Sequence, residues 1–235
     1  MLRETTGIFQ SMSASSSNTF SELYAAYGAG CLDPAFTLMV GTQSALRPEI
    51  REAVALSEVI SGSILETAPE AKLTDGALDR ALAAIDMLDA DERSSVNAGR
   101  AAGEAMEEML ALPEPLRTAA LDAVGKTGWQ AMGRGLKRLN LNAGSRLETE
   151  LYRIAPGARI PRHTHAGSEY TLVVAGGFSD ERGSYGPGDV VINGADDYHQ
   201  PVGDEGEVCY ALAVRDGGLH FTGMMGFIQR IFGAR

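Results

Sequence analysis

The hydrophobic period changes once along this chain, and that change limits the fold more than any other feature. From Ser21 to Leu112 the apolar residues recur mostly at three- and four-residue spacings, the pattern of one helical face. Beyond Gly125 they gather into short Val-, Ile-, Leu-, Tyr- and Thr-rich runs, cut by Gly, Pro, Asp and Asn at intervals of roughly eight to twelve residues. A helical stripe cannot serve as a strand, whose side chains alternate between two faces. The pattern therefore predicts an α + β chain of two modules: a helical bundle over 17–112 with a linker near 66–75, and an antiparallel sandwich or barrel over 125–235.

Local signals sharpen the first module. In DPAFTLMVGTQSALR, Asp33 is placed to cap a helix that Pro34 opens. PEIREAVALSEVISGSILE carries Ile50, Val54, Ile60 and Ile64 as one stripe, and TDGALDRALAAIDML reads as a further amphipathic helix capped by Thr74 or Asp75. DERSSVNAGRAAGEAMEEML continues the helical pattern. The Ser-rich residues 1–16 read as a flexible lead-in, and TGMMGFIQRIFGAR as a short closing helix.

Composition excludes several classes of function. No apolar run approaches the roughly 18–20 residues that span a bilayer. The N-terminus has no continuous apolar segment of the kind a secretory signal carries, which predicts a cytoplasmic chain. Only Cys31 and Cys209 are present, far apart and in unlike contexts, so a disulfide framework is not expected. Residues 1–110 hold 17 acidic against 7 basic side chains, whereas 111–235 are near balance at 14 against 13. An acidic helical half disfavours nucleic acid and favours a basic protein surface as partner.

Of four histidines, two fall in PRHTHAGSEY. On a strand, His163 and His165 share a face about 6–7 Å apart, close enough for two imidazoles to hold one ion. Glu169 follows a turn at Gly167 and can swing back to the same point, and His199 in DDYHQPV supplies a fourth ligand. His220 reads as a surface or hydrogen-bonded strand residue. Three imidazoles and a carboxylate suit zinc first, with iron, manganese, nickel or copper also compatible. Glu148, Glu150, Tyr152 and Tyr170 read as ordinary strand residues, so no catalytic or further cofactor-binding residue is assigned.

The spacing Gly157, His163-x-His165, Glu169, Gly176 resembles the first motif of the cupin superfamily, and GDVVINGADDYHQPVG resembles the second. In the second, Gly188 and His199 stand as expected, while Gly194, Asp196 and Gly203 replace the usual Pro, Gly and Asn. That resemblance implies a cupin β-barrel (double-stranded β-helix) holding one divalent metal through His163, His165, Glu169 and His199. Taken with SELYAAYGAGCLDPAFTLMVGTQSALRPEIREAVALSEVISGSILE, YGPGDV and FTGMMG, nearly the whole chain resembles ChrR-type anti-sigma factors. The resemblance implies that the helical module clasps an extracytoplasmic-function sigma factor, and that the barrel is needed for its release under oxidative stress.

In one respect the chain departs from that family, whose helical module binds zinc. At the four ligand positions this chain has Asn18, Gln43, Arg47 and Ile50, so no zinc is expected there. Near the C-terminus a Cys-x-Cys pair is reduced to Cys209 with Ala211, which reads as a small buried hydrophobe rather than a redox centre. The competing expectation is a metal-dependent cupin enzyme such as an oxygenase, its helical half used for oligomerisation. The plainest alternative is a purely structural ion in a protein that has lost sigma control.

Overall fold

The computed structural model describes residues 14–86, 104–216 and 219–221. Residues 1–13 of the lead-in expected over 1–16, the helix expected across 91–103 and the closing helix over 222–235 lie outside the described residues, while residues 14–16 of that lead-in belong to the first helix. Three helices open the fold: α1 (Ala14–Gly28), α2 (Pro34–Leu46) and α3 (Pro48–Glu66). The Asp33 carboxylate accepts a 2.9 Å hydrogen bond from the Ala35 N–H, and Pro34 occupies the first turn, as the sequence predicts. Gly28 lets α1 and α3 touch, since a Cβ there would come within 2.7 Å of the Ser57 backbone.

The stripe on α3 behaves differently from the expectation. Val54 is buried, but Ile60 and Ile64 are exposed, together with Leu56, Val59 and Leu65. Among the described residues, α3 packs on α1 and α2 through the part that faces them. A further helix, α4, is described over 77–86, and its Leu78, Leu82 and Ile85 are exposed as well. At its start the Thr74 hydroxyl and the Asp75 carbonyl both accept from the Arg80 guanidinium, and the Ala77 N–H donates to the Thr74 carbonyl. Helices α5 (Glu104–Leu110) and α6 (Leu116–Lys126) then lead into the strands.

The β half contains a six-stranded antiparallel sheet in the order β1 (Gln130–Gly133), β2 (Leu136–Asn140), β3 (Glu148–Ile154), β10 (Cys209–Arg215), β5 (Glu169–Ala175), β8 (Val190–Asn193). Opposite it lie β7 (Gly183–Tyr185), β6 (Phe178–Asp180) and β9 (Val202–Gly203) in one sheet, and β4 (His163–His165) paired with β11 (Leu219–Phe221) in another. This is the cupin barrel of the expected fold class.

Strand β10 is buried at every position. Its even-numbered residues Tyr210, Leu212 and Val214 join Leu139, Leu151, Leu172 and Val174 in a core with helical residues that include Ala35, Leu38, Met39, Leu116 and Ala120. Its odd-numbered residues Cys209, Ala211 and Ala213 face into the barrel with Tyr152, Ile154, Val173, Phe178 and Val191. Helices therefore cover one face of the main sheet, and the barrel interior takes the other.

One ion pair fastens this helical cover at its edge. Glu108 on α5 accepts from Arg153 at 2.7 and 2.9 Å and from the Tyr210 hydroxyl at 2.6 Å. The Arg153 hydrogen bond, and then that of Tyr210, hold the Glu108 carboxyl far below its ordinary value, at about 2. A depressed folded-state pKa contributes stability that is complete above the unfolded value, about 4.3, and is lost as pH falls toward 2. Glu108→Gln should therefore lower unfolding stability by about 1 kcal/mol at pH 7, a modest figure because the group is partly exposed. The difference between variant and wild type should shrink to nothing near pH 2 in urea titrations.

Candidate metal centre

Strand alternation sets the site. His163 and His165 lie on β4 with ring centroids 5.0 Å apart. Glu169 is the first residue of β5, inward-facing by the same parity as Thr171 and Val173. His199 sits between β8 and β9 and is held against His163 by two reciprocal 3.1 Å backbone hydrogen bonds. All four side chains are buried, and their ligand atoms lie within 4.8 Å of one another. The Nε2 atom of His199 is 3.1 Å from that of His165 and 3.1 Å from that of His163, while His165 Nε2 is 3.5 Å from Glu169 Oε2.

These separations fit a shared ion. Two imidazole nitrogens each about 2.0–2.1 Å from one centre stand about 3.0–3.4 Å apart, depending on coordination angle. Protonated imidazoles would repel at such range, and the pocket opposes protonation. Burial, and then the neighbouring His199, lower the His163 pKa to about 4. Burial also lowers that of His165. These two rings are thus neutral at physiological pH, with lone pairs available.

The tautomers are directed from behind. His163 Nδ1 lies 2.8 Å from the Pro161 carbonyl, which requires the proton on Nδ1 and leaves the Nε2 lone pair inward. His199 Nδ1 faces Asp180 Oδ2 at 3.4 Å, neither atom having another hydrogen-bond partner among the described residues, though Arg182 lies 3.8 Å from the same oxygen. Burial alone would raise the Asp180 pKa, but the facing His199 and the Arg182 backbone N–H outweigh it and hold the carboxyl below its usual value. Asp180 shares its inward parity with Phe178 on β6, the signal that alternation could have supplied.

Residues read as ordinary strand positions prove to be a charge network beside the cluster. Arg215, 2 % exposed at the end of β10, donates to the Tyr152 hydroxyl at 2.8 Å, to Glu150 at 2.6 Å, to Glu148 at 2.9 Å and to Glu169 at 3.4 Å. Burial would lower the Arg215 pKa, yet Tyr152, Glu150 and Glu169 together raise it. Desolvation would raise that of Glu150, but Arg215 and the Tyr152 hydroxyl hold it below normal. Arg215 thereby fixes one oxygen of Glu169 and leaves the other toward His165. The clue in the sequence is a lone charge closing the apolar run CYALAVR, in step with Cys209, Ala211 and Ala213. Tyr170, by contrast, faces outward against Phe36.

A cavity of about 80 Å³ opens inside the barrel against His163, Glu169 and His199, its other walls chiefly apolar and including Leu136, Ile154, Phe178 and Ala213. Cys209 is fully buried, and burial, then Asp204 and Glu207, push its thiol up to about 12, so it stays protonated. Cys31 is exposed between α1 and α2. His220 pairs through its backbone with Thr164 on β4.

Comparison with known proteins gives a consistent picture. Residues 118–216 match the family described as the ChrR cupin-like domain. The anti-sigma-E factor ChrR of Cereibacter sphaeroides is 32% identical over 203 residues, spanning 86% of this chain and 91% of that protein. The crystal structure of Rhodobacter sphaeroides SigE in complex with the anti-sigma ChrR superposes with a TM-score of 0.60 at 30% identity, covering 83% of this chain and 96% of that one.

Arg215 should be indispensable to the barrel interior. Arg215→Ala would strip the buried Glu169 carboxylate of its cation and leave the buried Glu150 with only Arg138 and the Tyr152 hydroxyl, at a cost of about 3 kcal/mol in guanidinium unfolding. Adding Glu150→Gln to that variant should recover part of the loss.

Proposed function

We propose a function from one premise: this chain belongs to the ChrR family of anti-sigma factors. In this reading the helical module binds an extracytoplasmic-function sigma factor in the cytoplasm and keeps it from RNA polymerase. The observation that carries it is the uncovered apolar surface of α3 and α4. Leu56, Val59, Ile60 and Ile64 repeat at helical spacing on α3, and Leu78, Leu82 and Ile85 do so on α4, all more than half exposed. Two helices consecutive in the chain that present apolar faces uncovered by the other described residues are costly in water and mark an interface. The acidic excess of residues 1–110 adds long-range attraction for a basic partner surface. The solved complex of the related ChrR with SigE supports the same class of partner.

The barrel, in the same reading, holds one divalent ion through His163, His165, Glu169 and His199, zinc being the first choice. When bound, the ion supplies a fixed positive charge and a Lewis-acidic centre beside the apolar cavity. The protein's own groups do the rest: Pro161 and Asp180 orient two imidazoles, Arg215 orients Glu169, and the packed interior excludes bulk water. We read the barrel as the stress-sensing part of a regulator. An oxygenase is disfavoured by the family and by the tie of the buried Glu150 and Tyr152 to Arg215, which leaves neither free for acid–base work.

Co-expression with an extracytoplasmic-function sigma factor from the same genome, followed by pull-down, tests the reading. The wild type should retain the sigma factor. Ile60→Asp and Ile64→Asp, substitutions at exposed positions that should leave stability nearly unchanged, should each weaken retention at least tenfold. A wild type that captures none of it, or variants that bind as tightly, would refute the proposal.

A further inference from the structure

The helix between the bare apolar surface and the barrel is not simply laid on the sheet. At its C-terminal end, buried Gln43 donates from Nε2 to the Gly188 carbonyl at 3.0 Å and accepts at Oε1 from the Tyr24 hydroxyl of α1 at 3.1 Å. One turn on, Arg47 donates from Nε to the Pro187 carbonyl at 2.9 Å and from its terminal nitrogen to Asp189 Oδ1 at 2.8 Å. Two side chains thus tie α1, α2 and the start of α3 to a single barrel turn.

The turn is shaped to receive them. Gly188 has a φ of +87°, and a Cβ there would fall 2.2 Å from Arg47 Nε, so only glycine satisfies both the backbone and the guanidinium stem. The second oxygen of Asp189 accepts from the Gly186 N–H at 2.8 Å, which aims the first at Arg47. Gly188 and Asp189 in turn bond the backbone of Val173 on β5 at 2.8 and 3.0 Å. From this turn β8 runs alongside β5 to the pair Asn193–Glu169, reaching the metal cluster. The other end of α2 meets β5 beside Glu169, where Phe36 stands edge-on to Tyr170 at 4.9 Å.

We propose that Gln43 and Arg47, with the Pro187–Asp189 turn, form a latch that couples the helical module to the ion-binding cluster through β5 and β8. The coupling rests on the metal reading above, whereas the latch itself does not. With the latch closed, α2 is held at both ends on the strands bordering Glu169, and α1 and α3 are held through α2. Emptying the cluster frees the start of β5 and the end of β8, and the loss of order passes along them to the helices.

Backbone hydrogen exchange of the full chain tests this, with zinc or with chelator, on the wild type, Gln43→Ala and Arg47→Ala, zinc content being measured in parallel. The variants should exchange at least tenfold faster across residues 20–66 while β3, β5 and β10 keep their protection. Chelation should speed exchange over the same residues in the wild type, and add little in the variants. Helices that exchange at wild-type rates in both variants would overturn the latch, whatever the zinc content. A wild type that holds zinc, but whose helices ignore its removal, would overturn the coupling. A wild type that holds no zinc would overturn the metal reading and the coupling with it, leaving the latch to stand or fall on the variants.

Discussion

Strands β5 and β10 are buried on both faces, and everything else in the molecule follows from that constraint. A strand covered on one side alternates apolar with polar residues, but one covered on both must satisfy two environments at once. Here the helices claim Leu172, Val174, Leu212 and Val214, while the barrel claims Val173, Ala211 and Ala213. The charged groups that share the inward parity, Glu169 and Arg215, are buried from water. They are therefore forced into partnership with each other and with whatever the interior offers.

That necessity accounts for the character of the centre. Charges inside a barrel are tolerated only when paired and hydrogen-bonded, and Arg215 answers to three carboxylates and a phenol at once. The imidazoles meet the same difficulty differently, by gathering their Nε2 atoms at one point, with burial disfavouring the charged form of His163 and His165. Their shells differ in an informative way: His163 is fixed by a backbone carbonyl, His199 by a buried carboxylate. The buried His165 Nδ1 has no hydrogen-bond partner among the described residues.

Much of this was legible in the residues. The change of period separated helices from strands, the Asp33–Pro34 pair marked the start of α2, and strand parity brought His163 and His165 to one face. What one dimension hid was pairing. Nothing local in CYALAVR says that Arg215 will meet Glu148 and Glu150, because those contacts come from the β3–β10 register. The stripe on α3 is visible in the sequence, yet only the structure shows that Ile60 and Ile64 stay exposed among the described residues, since coverage depends on where α1 and α2 run. Gln43 and Arg47 stand in the sequence only as replacements at zinc-ligand positions, and their tie to a turn some 140 residues away depends entirely on the docking of α2.

The account turns on a cation held in the β half and none in the helical half. Elemental analysis of the purified chain, wild type beside His163→Ala, measures this most directly. One equivalent of a divalent metal per chain, lost in the variant, is the result the account predicts. Two equivalents, or a single one that survives the substitution, would contradict it.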